Sequence, residues 1–370
     1  MRFRHRSTIV DFGRFCIVSE LDQTRLSIVA RSGCMRTIGA SKVKRSRILT
    51  FTDPAQYSAN VRSADIEVLP TSKGAFEARI TQVTLDQLWM QRFEETLPRV
   101  HRGAIRPDRK VFTFLTEDQP EVYNRGQLFS PGELCANDSD MQHVVTTGKY
   151  RLGGVSIRPS DLAAASKSMM GFEWQPEQCA RFLRPAPELM KRLLELHAMV
   201  GAFAKTTPEL LELPEVIRAV EHKLTHALLA CLTDCNASKM KMAGPGHRTI
   251  VARFEAFLDA HPNSPLNLEQ VCAAVGVAER TLRAACENHL GMGPSRYLNL
   301  RRMHLVRRAL EQATSGSATV TEIAMSHGFW ELGRFSVAYR ELFNERPLAT
   351  LRRPPNDRPA RTGRPSQLVA

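Results

Sequence analysis

The stretches NLEQVCAAVGV (267–277) and TVTEIAMSHGF (319–329) match at a constant offset of 52 residues, and this repeat constrains the fold more than any other feature of the chain. Each copy opens with a polar residue followed three positions later by a side chain able to reach back to its amide: Asn267 with Gln270, and Thr319 with Glu322. That is the sequence form of a capping box, so a helix is expected to begin at both places. Each copy then carries a short apolar face, Val271, Cys272 and Val275 in the first and Ile323, Ala324 and His327 at the equivalent sites of the second. Each stops at a glycine, Gly276 or Gly328, which enters a left-handed cap without a Cβ penalty. An apolar residue, Val277 or Phe329, fills the angle before a second helix.

Beyond that point the offset becomes 53. Leu282, Cys286 and Leu290 align with Phe335, Tyr339 and Phe343, spaced four and four so that they share a helix face. Gly291 aligns with Asn344, both tolerant of left-handed backbone, and Pro294 aligns with Pro347. Helix, glycine turn, helix is the helix-turn-helix layout, whose second helix lies in the DNA major groove. One such match would fit any helical hairpin. Two with matched caps, turns and stops are far more specific. Between them SRYLNLRRMHLVRRALEQA (295–313) predicts a helix with Tyr297, Leu298, Met303, Leu305, Val306 and Leu310 crowded on one side and Arg301, Arg302, Arg307 and Arg308 mainly elsewhere. Such a helix spans roughly 25–30 Å at about 1.5 Å per residue, enough to hold two reading helices about one DNA turn apart.

Charge points the same way. The net charge of +13 divides into +8 over residues 1–47, −1 over 48–246 and +6 over 247–370, where every Lys/Arg is arginine. Arginine forks match phosphate oxygens, so the surplus favours a phosphate-bearing partner, although composition alone also fits a solvated surface. No apolar run is long enough for a membrane span or a signal peptide, which places the expected location in the cytoplasm. The eight cysteines form no CxxC pair and read as reduced thiols.

The rest of the chain divides by pattern. Residues 1–47 read as a basic, flexible extension, with Met35 as an alternative start. From 48 to 158 the text is strand-like: ARITQVTL (78–85) alternates, KVFTFL (110–115) is β-branched and aromatic, and YRLGGVSIRP (150–159) ends at proline. NRGQLFSPGEL (124–134) carries two turn signals, and many short strands so punctuated predict a small barrel or sandwich. Two helices follow, over 185–203 and about 214–233. Their apolar stripes (Leu189, Leu193, Leu196, Val200, Phe203; Ile217, Val220, Leu224, Leu228) suit either packing within the domain or a dimer interface. The sensor or dimerisation domain is therefore expected over 48–235, a linker over 236–248, the helix-turn-helix domain over 249–353, and a disordered proline-rich tail over 354–370.

The repeat region, about 250–353, resembles the AraC/XylS family of bacterial transcription regulators. Its most specific part is VTEIAMSHGF followed by Phe335-Ser336, Tyr339, Phe343 and Pro347. The resemblance implies an α+β chain of two domains: a strand-rich cupin-like barrel with C-terminal helices, then an all-α double helix-turn-helix domain of seven helices. It implies Gly276, Leu282, Gly328, Phe329, Phe335, Tyr339, Phe343 and Pro347 as motif scaffold. The implied partners are double-stranded DNA, a second copy of the chain, a small-molecule effector and RNA polymerase, with no membrane, no cofactor and no enzymatic activity. YNRGQLFSPGEL looks like part of a cupin-type sensor, but the cupin His-x-His…Glu metal pattern is absent, and His101 and His143 stand alone.

In the first reading helix Leu282, Ala285, Cys286 and Leu290 face inward, leaving Glu279, Arg280, Thr281, Arg283 and Ala284 at the outward N-terminal half that meets base edges. Arg280 and Arg283 share a face and match family base-contacting positions. In the second, Glu331, Arg334 and Ser336 are the polar candidates, while Leu332, Gly333 and Val337 are expected outward, so this unit is expected to grip backbone and thymine methyls. His222 and His226, with Cys231 and Cys235, make a conceivable metal set, but Lys223 breaks the HExxH signature and partly buried helix residues are the better reading. GFEWQPEQ (171–178), with Glu173, Trp174 and Glu177, could belong to a ligand pocket, but a plain loop is the better reading. Two other functions remain open from sequence: a constitutive architectural DNA binder whose first domain only dimerises, and a metal-dependent enzyme built on the barrel.

Overall fold

A computed structural model describes residues 8–11, 16–19, 44–174, 181–234, 245–262, 264, 266–313 and 318–353. Met35, most of the expected linker and the tail from 354 lie outside them. Within the N-terminal extension, β1 (Thr8–Asp11) pairs antiparallel with β2 (Cys16–Ser19).

Two antiparallel sheets make the strand-rich domain. Seven strands run in the order β14 (Phe182–Leu183), β11 (Leu134–Asn137), β8 (Lys110–Leu115), β13 (Tyr150–Ile157), β6 (Leu88–Glu95), β5 (Ala78–Thr84) and β3 (Ser46–Phe51). Five run in the order β10 (Gln127–Phe129), β9 (Val122–Asn124), β12 (Gln142–Thr146), β7 (Arg99–Ile105) and β4 (Ala64–Pro70). The three strands read most directly from sequence are β5, β8 and β13. The turn signal in NRGQ is the β9–β10 hairpin, with Arg125 and Gly126 both at positive φ.

Side chains alternate across the pleat, so each sheet has two faces to cover. Between the sheets lie Phe51, Tyr57, Val68, Ile80 and Phe93 at one end and Leu115, Val122, Phe129, Val144 and Tyr150 at the other. Glu95 and Arg99 form a buried ion pair across the β6–β7 corner, with the Arg99 guanidinium 4.3 Å from the Tyr150 ring centroid and the Tyr57 hydroxyl donating to Glu95 Oε1 at 2.7 Å.

The other face of the seven-stranded sheet presents Met90, Phe112, Phe114 and Val155 to a layer of helices: α2 (Pro159–Met170), α3 (Pro187–Thr206) and α4 (Pro214–Thr233). Leu193 and Val200 are buried there, Leu189, Leu196 and Phe203 pack against the same core, and all four stripe residues of α4 are buried. Both stripes pack within the domain. Trp174 also belongs to this core, its ring 6.1 Å from Phe112. A short α1 (Pro54–Asn60), capped by Asp53, closes one end of the barrel.

Seven helices follow: α5 (Pro245–Ala260), α6 (Leu268–Val275), α7 (Glu279–Leu290), α8 (Pro294–Gln312), α9 (Val320–Ser326), α10 (Leu332–Phe343) and α11 (Pro347–Arg352). They enclose two cores, and α8 is shared between them. Tyr297, Leu298 and Leu300 from its first half join α5, α6 and α7. Met303, Val306 and Leu310 from its second half join α9, α10 and α11. At 19 residues α8 is roughly 28 Å long.

Candidate nucleic-acid interface

Both repeat copies fold as helix, turn, helix. Asn267 accepts from the Gln270 amide at 2.8 Å while Gln270 Oε1 takes the Asn267 amide at 3.0 Å. Thr319 and Glu322 make the same reciprocal pair at 3.2 and 2.8 Å. Gly276 (φ 74°) caps α6 in the left-handed region. In the second copy α9 stops at His327, and Gly328 (φ 82°) makes the left-handed step one residue later. The offset of 53 then holds through both ends of the reading helices (279/332 and 290/343), the left-handed C-caps Gly291 (φ 67°) and Asn344 (φ 57°), and the prolines that open α8 and α11.

The inward faces fill the two cores. Leu282, Ala285, Cys286 and Leu290 are buried with Val271 and Val275. In the second unit Phe335 and Tyr339 are buried, with Phe329, Leu332 and Phe343 packed against them. The four aromatic rings stack in succession, with centroids 5.0 Å apart for Phe329–Phe335, 5.6 Å for Phe335–Tyr339 and 4.6 Å for Tyr339–Phe343. Pro347 is buried at the start of α11, and the Tyr339 hydroxyl lies 2.9 Å from Thr350 Oγ1. Burial pushes the Tyr339 hydroxyl well above its ordinary range, so it stays protonated.

Solvent meets the other faces. Glu279, Arg280, Thr281, Arg283 and Ala284 are exposed along the first half of α7, and Glu331, Gly333, Arg334, Ser336 and Val337 along α10. Arg283 Nη2 lies 2.5 Å from Glu279 Oε1 and Arg334 Nη1 lies 2.7 Å from Glu331 Oε2, all four side chains more than half exposed. Such surface pairs are worth little and exchange readily for a stronger anion. Two details depart from the sequence reading. Leu332, expected outward, is partly buried because it begins the helix directly over the second core. Trp330, which the sequence reading passed over, is 64% exposed just before α10 and Val337 is 51% exposed; a solitary Trp beside the capping turn was the available signal.

The arginines of α8 also differ from expectation. Arg301, placed off the buried side by its pattern, is 7% exposed and pairs with Asp259. Arg307 pairs with Glu311 and stacks 4.7 Å from the Phe343 ring, Arg308 pairs with Glu67, and Arg302 donates to the Leu266 carbonyl. Part of the arginine surplus therefore balances internal carboxylates instead of facing outward.

Among the described residues no group of three or more His, Cys, Asp or Glu is arranged to hold a metal ion. Cys231 is buried in the helical layer, His222 is exposed, and Cys235 lies outside the described residues. His101 and His143 point to opposite sides of one sheet: His143 meets Glu255 across the domain boundary, whereas His101 is half-buried near Arg99, and desolvation together with the Arg99 charge holds it well below the usual histidine range. Among the described residues no helix is long and apolar enough to cross a membrane.

A family profile described as a helix-turn-helix domain matches residues 271–353. The XylDLEGF operon transcriptional activator of Pseudomonas putida is 32% identical over 232 residues, 62% of this chain and 70% of that protein. The probable thc operon regulatory protein of Rhodococcus erythropolis is 36% identical over 153 residues, and the match spans 40% of this chain and just under half, 45%, of that relative. The crystal structure of the AraC-like transcriptional activator CuxR aligns at 17% identity over 76% of this chain and all of its own, with a TM-score of 0.36. Two reciprocally capped helix-turn-helix units on a shared helix, together with an identity of 32% across 70% of a curated regulator, place the chain in the AraC/XylS family of transcription regulators.

Proposed function

We propose that this chain is a sequence-specific, duplex-DNA-binding transcription regulator that works in the cytoplasm as a dimer and answers to a small-molecule effector through its strand-rich domain. The observation that carries the reading is the pair of capped helix-turn-helix units whose reading helices bury one face and expose the other. Arg280 and Arg283 are the base readers of the first unit, since an arginine fork matches guanine O6 and N7 in the major groove. Thr281 supports them through phosphate. In the second unit Glu331, Arg334 and Ser336 flank the apolar strip of Trp330, Gly333 and Val337, a surface suited to backbone and thymine methyls.

Relatives named as transcriptional activators support activation over repression, and RNA polymerase is the partner we propose for it. For an effector, Arg99 Nη1 and Asn124 Oδ1 are buried between the sheets without a protein hydrogen-bond partner, a donor and an acceptor that a small polar ligand would satisfy. The test is selection from random duplexes by the full chain at physiological salt. A two-part motif with a steep salt dependence is expected, and enrichment of no sequence would overturn the reading. A thermal-shift screen locates the effector, because a ligand bound only to the folded state raises apparent stability. Sedimentation of the full chain tests the dimer.

A further inference from the structure

Strands β4, β7 and β12 are neighbours, and their register brings two rows of side chains to the outer face of the five-stranded sheet. Glu67 and His143 stand opposite Arg102 on either side, and Leu69 and Val145 stand opposite Val100. The apolar row belongs to the first helix-turn-helix core: Leu69 and Val100 are fully buried among Phe254, Leu290 and Tyr297, and Val145 packs beside them. The approach is close. A Cβ on Gly126, in the β9–β10 turn, would lie 2.4 Å from Asn288 Oδ1, and one on Gly291 would lie 2.9 Å from Val145 Cγ1.

The charged row reaches the same helices. Arg102 donates from Nε to Glu67 at 2.6 Å and with both Nη atoms to Asp259 of α5 at 2.8 and 3.1 Å. His143 Nε2 lies 2.5 Å from Glu255, whose other oxygen accepts from the Tyr297 hydroxyl at 2.6 Å. From α8, Arg301 joins Arg102 on Asp259, His304 Nε2 donates to the Pro70 carbonyl at 3.3 Å, and Arg308 joins Arg102 on Glu67 at 2.7 Å. Residues 301, 304 and 308 follow one face of the helix. The strut that joins the two units is thus held directly against β4 at two points, His304 and Arg308, and tied to Arg102 of β7 through the Asp259 carboxylate that Arg301 and Arg102 share, over about two turns. The exposed halves of α7 and α10 stay uncovered, so docking and DNA reading are compatible.

We propose that Glu67 and Arg102 are positioning residues for DNA reading: by holding α8 along its 301/304/308 face, the outer sheet of the barrel sets the relative orientation of the two helix-turn-helix units. This rests on the DNA-binding reading above. Neither residue touches the exposed reading faces; both act through the strut. The sheet that holds α8 also lines the barrel interior, since Arg99 and Arg102 lie on opposite faces of β7.

The test uses the full chain and the duplex it selects, with Glu67→Gln, Arg102→Met and, as a control just past the end of β7, Arg106→Ala, whose pair with Asp65 is exposed. Affinity is measured for the selected duplex, for one with a base pair inserted between its halves, and for one with a single half scrambled. Wild type and Arg106→Ala should lose about tenfold or more on insertion, because rigidly linked units cannot follow the displaced half. Glu67→Gln and Arg102→Met should lose less than about threefold on insertion, with binding to the half-scrambled duplex unchanged. A merely structural role would weaken all three duplexes alike. An insertion penalty equal to wild type in both variants, or equal weakening on every duplex, overturns the proposal. If the wild type selects no motif, the DNA-binding reading fails instead. Hydrogen exchange along α8 then judges the clamp: faster exchange in Glu67→Gln sustains it, and an unchanged rate sinks it.

Discussion

Glu67 offers the sharpest quantitative check on the docked sheet. Burial pushes its carboxyl up, but Arg102, Arg308 and, more weakly, Arg301 more than offset that and hold it at about 2, against an ordinary 4.5. The folded pKa is depressed, so the stabilisation is present above about pH 4.5 and is lost as pH falls toward 2. A shift of that size corresponds to about 3 kcal/mol, of which about 2 kcal/mol should be gone by pH 3. Arg102 carries the larger part, because its side chain is 11% exposed against 39% for Arg308, whose pair is better screened. The assay is amide hydrogen exchange of β4 and α8 in wild type and Glu67→Gln, corrected for the pH dependence of intrinsic exchange. Near neutral pH the variant should open roughly a hundredfold more often, and the gap should narrow steadily below pH 4.5. Glu255, also held near 2 by His143 and Arg102 against its burial, titrates in the same window in both proteins and cancels in the comparison. A ratio of exchange rates that stays the same at pH 6 and pH 3 would refute the reasoning.

Three further outcomes are expected. Arg283→Ala should cost ~1–3 kcal/mol at one base pair of the selected site and leave the others unchanged, read by competition with singly substituted duplexes. Thr319→Ala removes the reciprocal cap of α9 and should destabilise the second unit by ~1 kcal/mol, measured by thermal unfolding beside Asn267→Ala as the matched change in the first. Phe335→Ala deletes the middle of the aromatic stack and should cost ~3–5 kcal/mol; protease sensitivity should appear between α9 and α11 before it appears in α6 and α7.

The helix-turn-helix units were legible because their signals are local. A cap, a left-handed glycine and a proline each act within a few residues, and Asn267, Gly276 and Pro294 do in the fold what their spacing implies. The barrel was legible as strands, through the alternation in β5 and the β-branched run in β8, but its layering was not. Glu67, Arg102 and His143 sit at alternate positions that read as the water-facing side of a half-buried sheet. Only the pairing of β4, β7 and β12, set by contacts distant in sequence, lines them up as one row, and only α5 and α8 cover it. On α8 the same blindness applied: Arg301 and Arg308 looked like surface arginines until Asp259 and Glu67 appeared beside them.

That docking also accounts for how the two copies differ. Aligned inward positions hold Leu282, Cys286 and Leu290 in the first unit but Phe335, Tyr339 and Phe343 in the second. The first core is completed from outside by Leu69 and Val100, so modest side chains fill the remaining space. Among the described residues no barrel residue joins the buried core of the second unit; a cleft of about 440 Å³, lined by Phe76 and Leu97 on one side and Leu342 and Phe343 on the other, lies between that unit and the barrel. It must close its core alone, and three larger rings with Phe329 supply the volume. The duplicated motif has therefore been divided by its surroundings: one copy built onto the barrel, the other built to stand on the far end of the strut. A disturbance of the sheet reaches the first copy directly and the second through α8 and the contact of Leu342 with the first core, the difference on which the spacing experiment depends.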